Sequence, residues 1–126
     1  MKDKVLYKDL SYIVGGILFQ VYNYHGFGLR EKIYCQYINK LLRENKINFQ
    51  EQFTIPVKYY NRHEVKRYAD FLIDDQIILE LKTGKRLFGK DFDQTFEYLK
   101  LTNKKLGLLV LFSPEKVIIH RVLNNQ

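Results

Sequence analysis

The 126 residues suffice for one domain, 1–126, with a core that needs no disulfide or metal staple. Hydrophobic residues make up 46% and aromatics 15%, which excludes a disordered chain, and the net charge of +7 favours a polyanionic partner. A single cysteine excludes an intramolecular disulfide and a multi-cysteine zinc site, and no apolar run approaches the ~18 residues of a membrane span, so a soluble, cytoplasmic protein is expected.

Leu10, Ile13, Val14, Ile17, Leu18 and Val21 recur at helical spacing and predict a first helix from about Lys8 to Tyr24. Gly15 and Gly16 within it cost about 1 kcal/mol each, so a close-packed neighbour is expected there. His25-Gly26-Phe27-Gly28 breaks the pattern, and a second helix follows from about Leu29 to Glu44. Its apolar side carries Ile33, Tyr34, Tyr37, Ile38, Leu41 and Leu42, with Cys35 close by as a core thiol. The period then changes to two. Phe49, Phe53, Ile55, Val57 and Tyr59 alternate with polar residues in a half-buried strand, Glu51 is the polar exception, and Pro56 predicts an edge or a bulge.

After a turn at Asn61-Arg62-His63-Glu64, strands are predicted over Val65–Ile73 and Ile77–Lys82. Asp91–Lys104 reads as a helix with Phe92, Phe96 and Leu99 on its core side and Gln94 and Tyr98 on the other. Gly107–Phe112 is a continuous apolar run, as expected of a strand covered on both faces, and Val117–Val122 is a last strand. The class is α/β, in the order α-α-β-β-β-α-β-β, with one parallel crossover joining the third strand to the fourth.

The chemistry is concentrated in Tyr68–Lys82. A three-residue turn pairing Ile73 with Ile77 gathers Ala69, Phe71, Ile73, Ile77, Leu79 and Leu81 on one apolar face. The other face then sets Asp70 against Glu80 and Tyr68 against Lys82. Like charges directly opposite are destabilising, and a divalent cation, or Lys82 alone, would relieve the pair. Glu31 falls on the apolar side of the second helix, where it either joins these carboxylates or simply suits a helix N-terminus. His25, His63 and His120 lie in unrelated segments without metal-ligand spacing.

These residues resemble a known family. Gly28-Leu-Arg-Glu31-Lys-Ile-Tyr34 matches the signature of the GxxExxY proteins, a branch of the PD-(D/E)XK nuclease superfamily. Asp70 followed by Glu80-Leu81-Lys82 looks like the superfamily's D…ExK core, and Gln94-Thr-Phe-Glu-Tyr98 is similar to the QxxxY motif of RecB-type members. The likeness runs from about Leu10 to Val122. Tyr22, Asp91 and Phe92 depart from the histidines and glutamate that many members carry at those places.

The resemblance implies a restriction-endonuclease-like core, a mixed sheet flanked by helices, and metal-dependent phosphodiester hydrolysis, in DNA more than in RNA. It implies Mg²⁺ or Mn²⁺ held by Glu31, Asp70, Glu80 and the Leu81 carbonyl. Lys82 would position water or stabilise the transition state, and Gln94 and Tyr98 would orient Lys82 or a phosphate. Arg62, Lys66, Arg67, Lys85, Arg86, Lys90, Lys100, Lys104 and Lys105 are candidates for gripping the backbone, with solvated surface as the alternative for each. A silent nucleic-acid-binding module on the same fold and a junction-resolving homodimer are the rival readings.

Overall fold

The structure, a computed structural model, describes residues 6–60 and 63–125, for 57–60 and 63–65 by backbone alone. Its elements are α1 (Lys8–His25), α2 (Glu31–Glu44), β1 (Phe49–Tyr60), β2 (His63–Ile73), β3 (Ile77–Thr83), α3 (Gly89–Thr102), β4 (Leu106–Phe112) and β5 (Val117–Leu123). Asn61 and Arg62 lie outside the described residues. The order is the one expected, and the elements' ends fall within a few residues of those read from periodicity.

Local chemistry explains most of these ends. Gly26, at a φ of 71°, closes α1 by donating its N–H to the Tyr22 carbonyl. Gly28, at a φ of 120°, carries the chain into α2. Tyr34 is fully buried one turn later, and its hydroxyl donates to the Gly26 carbonyl and accepts from the Leu29 N–H. The glycine and tyrosine of the GxxExxY pattern therefore build and lock one interhelical turn, and the glutamate is the first residue of the helix that follows. α3 starts where Asp91 Oδ2 accepts the Phe88 N–H at 2.8 Å, and it ends at Asn103 in a left-handed conformation.

The described strands form one sheet in the order β1-β2-β3-β4-β5, antiparallel except for the β3–β4 pair. This is the α/β, restriction-endonuclease-like arrangement. β1 is an edge strand, and its register shifts between Ile55 and Lys58, so Pro56 marks both an edge and an irregularity. All seven residues of β4 are buried, because α1 and α2 cover one face of the sheet and α3 the other. The larger core joins Val14, Leu18, Tyr34 and Ile38 to Phe71, Leu79, Leu81 and Val110. The smaller joins Ile55, Ala69, Leu72 and Ile78 to Tyr98 and Leu99.

Three expectations need correction. Phe53 and Ala69 face α3, whereas Phe49, Phe71 and Ile73 face α1 and α2, so the first two strands change sides partway along. The change occurs at Gln52, at a φ of 53°, and Asp70, which are skipped as partners between Glu51↔Phe71 and Phe53↔Ala69. On α3 the buried side is Thr95, Tyr98 and Leu99, and Phe92 and Phe96 are only half-buried. The helix is rotated so that Tyr98 joins the core rather than an opposite face. Finally, among the described residues a Cβ at Gly15 would meet only Ile119, at an ordinary 3.8 Å, and one at Gly16 would meet nothing within 4 Å, so no close packing among them explains either glycine.

Close packing does explain Gly107. A Cβ there would stand 2.8 Å from Thr95 Cγ2 and 3.5 Å from Leu99 Cδ1. Thr95 is fully buried and its hydroxyl is bonded to the Asp91 carbonyl, so its methyl has little freedom to withdraw. Gly107→Ala should push α3 off β4 and cost about 1–3 kcal/mol. The expected result is a lower urea midpoint with an unchanged denaturant slope.

Candidate active site

The predicted register holds: Ile73↔Ile77, Leu72↔Ile78 and Phe71↔Leu79 are partners. There the ladder stops. At the next position two carboxylates replace the backbone bonds. Glu80 Oε2 accepts the Asp70 N–H at 2.7 Å, and Asp70 Oδ2 accepts the Leu81 N–H at 2.7 Å. Asp70 and Glu80 are thus cross-linked through each other's strands where β2 leaves β3, while β3 continues beside β4 with Glu80↔Leu109. Tyr68 and Lys82, expected as the next pair, are not partners.

Both carboxyls are pushed above the usual carboxylate range. Burial is the main cause for Asp70. The Glu31 and Glu51 charges add to it, and the Leu81 N–H and Lys82 oppose it. For Glu80 burial again leads, followed by the Asp70 charge, against the Asp70 N–H and Lys82. The magnitudes show why the shift is upward. Two like charges about 5 Å apart at an effective dielectric near 20 repel by about 3 kcal/mol. A charge-assisted hydrogen bond returns about 1.5–3 kcal/mol, and burial of each charge costs several more. Two bare carboxylates therefore need a proton or a cation.

A cleft of about 780 Å³ opens beside Asp70, lined by Arg30, Glu31, Lys32, Cys35, Glu51, Gln52 and Thr83. Glu31 enters it as the first residue of α2, exposed rather than packed in the apolar stripe. Cys35 is buried, and its thiol is pushed far up by that burial and the surrounding carboxylates, which keeps it protonated. Among the described residues no three His, Cys, Asp or Glu side chains are gathered closely enough to hold an ion. The donor chemistry nevertheless fits a hard cation. Asp70 and Glu80 each commit one oxygen to the backbone and retain another, and Mg²⁺ commonly takes one or two carboxylates with water completing its shell.

Tyr98 is buried next to Glu80, and its phenol is raised by burial and by the Glu80 charge. The nearby Arg67 guanidinium, which bridges to Glu97, opposes that rise. Gln94 is one turn away, lining a cleft of about 490 Å³ with the cations Arg67, Lys90 and Lys100 and the acids Asp93 and Glu97. Arg86, in the segment between β3 and α3, and Lys90, in the first turn of α3, lie over the Phe88 ring, 4.9 and 6.0 Å from its centre. Lys85 is exposed in that same segment, and Lys66 is exposed on β2. Lys104 is tied to Asp75 in the β2–β3 turn at 3.0 Å, so Lys104 and Lys105 stand at the other end of the β3–β4 pair.

Residues 8–122 match the family model of the PD-(D/E)XK nuclease superfamily. The chain belongs to that superfamily. No curated protein matches this PD-(D/E)XK chain. Among solved structures it is similar to SSO0001, with a TM-score of 0.60 and 20% identity over 75% of this chain and 51% of that one. It therefore spans about half the length of SSO0001. It is also similar to an alkaline exonuclease (LHK-Exo) from Laribacter hongkongensis, with a TM-score of 0.54 and 10% identity over 98% of this chain and 73% of that one. Both likenesses are likenesses of fold.

One cleft residue of this PD-(D/E)XK chain escaped the site read from sequence. Glu51 raises the Asp70 carboxyl, and its Oε1 accepts from Asn39 Nδ2 at 2.6 Å, which anchors it to α2. Its signal was already present, as the polar break in an apolar file of β1.

The raised carboxyls make stability depend on pH. The folded protein retains protons that the unfolded chain releases above pH ~4–4.5, so this stabilisation is full at the acid end and is lost as pH rises through the folded-state values. With a chelator present, Tm should fall between about pH 5 and about pH 9. Glu80→Gln, which keeps an acceptor for the Asp70 N–H, should flatten that slope and raise stability near pH 8 by on the order of 2 kcal/mol. Calorimetry across pH on both proteins measures the difference in slope.

Proposed function

We propose that this chain is a metal-dependent nuclease of the GxxExxY branch, hydrolysing phosphodiester bonds in DNA rather than RNA. The observation that carries the reading is the crossed pair Asp70 and Glu80. Two buried carboxylates are held together at the expense of their own repulsion, with Lys82 near enough to lower both pKa values. The preference for DNA rests on the resemblance, and the basic charge supports a polyanionic substrate.

In this reading Asp70, Glu80 and the Leu81 carbonyl hold Mg²⁺ or Mn²⁺, and Glu31 adds its charge from the start of α2. When bound, the ion supplies a water of lowered pKa and stabilises charge on the phosphate. Lys82 holds the attacking water or a non-bridging phosphate oxygen as charge develops. Tyr98 walls in Glu80, and Gln94 with Lys90 and Lys100 receives a phosphate of the substrate strand. Lys85 and Arg86 follow β3 directly and would grip the backbone near the scissile bond, and Arg62 and Lys66 serve as further backbone contacts.

Purified protein should cut single-stranded, duplex or branched DNA with Mg²⁺ or Mn²⁺ and fall silent in chelator. Matched RNA should be cut more slowly. Glu80→Gln and Lys82→Ala should each reduce cleavage at least about 100-fold, with salt-dependent DNA binding preserved. Binding without turnover in either metal would replace the nuclease with a silent binding module, and full activity in Glu80→Gln would place the site elsewhere.

A further inference from the structure

The outer face of α1 differs from the rest of the surface. In a chain with 28% charged residues, no Lys, Arg, Asp or Glu stands between Asp9 and Arg30. The side turned away from the core exposes Tyr12 (83%), Ile13 (45%), Phe19 (46%) and Tyr24 (82%). Gly16 lies at the centre of this face, exposed and with nothing within 4 Å of where a Cβ would stand. A helical glycine costs about 1 kcal/mol relative to alanine, and among the described residues no packing answers that cost. Toward β5 the face gives way to a cleft of about 660 Å³ where Tyr12, Ile13 and Ile119 meet Lys8, Asp9 and Arg121, so the uncharged stretch has a charged border on that side.

We propose that this face of α1 is the interface of a two-fold homodimer, with two copies crossing antiparallel at Gly16. Three observations favour a second copy of this chain. The first is self-matching. A two-fold interface brings residues equally far before and after its centre to the same level. Around Gly16 those levels are Ile13 with Phe19, Tyr12 with Gln20, Asp9 with Asn23 and Lys8 with Tyr24. Apolar meets apolar, a cation meets an aromatic ring, and no two like charges meet. With no side chain at the crossing point, the helix axes can reach the short end of the usual 8–10 Å separation.

The second is charge. Two molecules of +7 repel, and an uncharged face lets them meet without pairing like charges. The same lack of Lys and Arg along Leu10–Leu29 leaves nothing to grip nucleic acid or an anionic membrane. The third is area. Three aromatic rings and an isoleucine at these exposures amount to on the order of 500 Å² per copy, hence about 1,000 Å² across the pair. That reaches the lower bound for a specific interface, so affinity in the micromolar range is expected.

Sedimentation equilibrium of the whole chain from about 1 to about 100 μM tests this. The expected result is a concentration-dependent rise from 15.2 kDa toward twice that mass. Phe19→Glu should weaken association at least about 100-fold while far-UV circular dichroism stays unchanged. Tyr12→Arg, at a more exposed position, is the second variant should Phe19→Glu fold poorly. Mixing Ile13→Glu/Phe19→Glu chains with Ile13→Lys/Phe19→Lys chains should restore a dimer that neither forms alone, which reports the register. A wild-type monomer at about 100 μM would overturn the proposal and leave the face to a different protein. A dimer that survives both Phe19→Glu and Tyr12→Arg would overturn it equally.

Discussion

Two hydrogen bonds from backbone to side chain hold this site, and in both a carboxylate takes the place of the backbone carbonyl that accepts in ordinary sheet pairing. The Asp70 N–H goes to the Glu80 carboxylate, and the Leu81 N–H goes to the Asp70 carboxylate. Each acid satisfies a backbone donor that the end of the β2–β3 ladder would otherwise leave buried and unpaired. The exchange lets the strands part without an orphaned N–H, and it locks two like charges into the gap. Neither consequence is separable from the other. A sheet that continued its ladder here would have no wedge, and a wedge without these acceptors would cost about 1–3 kcal/mol for each lost partner.

The surrounding elements act mainly to hold that wedge open and to face it with charge. Tyr34 ties the α1–α2 turn through Gly26 and Leu29, which sets the first turn of α2 and its Glu31 over the cleft. Asn39 on α2 holds Glu51 on the strand that lines the same cleft. On the opposite side α3 settles against β4 at Gly107, and Tyr98 is buried close to Glu80 with the Arg67–Glu97 bridge nearby. Packing and electrostatics thus converge on one corner, where burial and mutual repulsion raise both carboxyls above the usual carboxylate range.

Much of this was legible in the sequence because it depends on near neighbours. The turn between Ile73 and Ile77 sets the hairpin register, and that register alone predicts that Asp70 and Glu80 meet. Seven buried positions in β4 follow from an unbroken apolar run. The side change at Gln52 and Asp70 was not legible, because strict alternation predicts that Phe49 and Phe53 share a face and only a local backbone distortion separates them. The rotation of α3 was hidden for a similar reason. Phe92 and Phe96 are the more apolar residues, yet Thr95 is the one small enough to sit over Gly107.

The sequence by itself determined the elements, their order, the hairpin register and the superfamily pattern, since each follows from spacing along a few residues of chain. Only the tertiary structure decided that β2 leaves β3 at Asp70, that Glu51 joins the cleft, that Lys104 and Lys105 stand apart from it, and that Tyr12, Ile13, Phe19 and Tyr24 of α1 stay exposed. Those outcomes depend on how elements far apart in the chain meet, and steric fit at a point such as Gly107 has no signature in local periodicity. The net charge of +7 favoured a polyanion without locating it. The fold places negative carboxyls at the centre, because buried backbone donors there need acceptors, and leaves the cations around the rim.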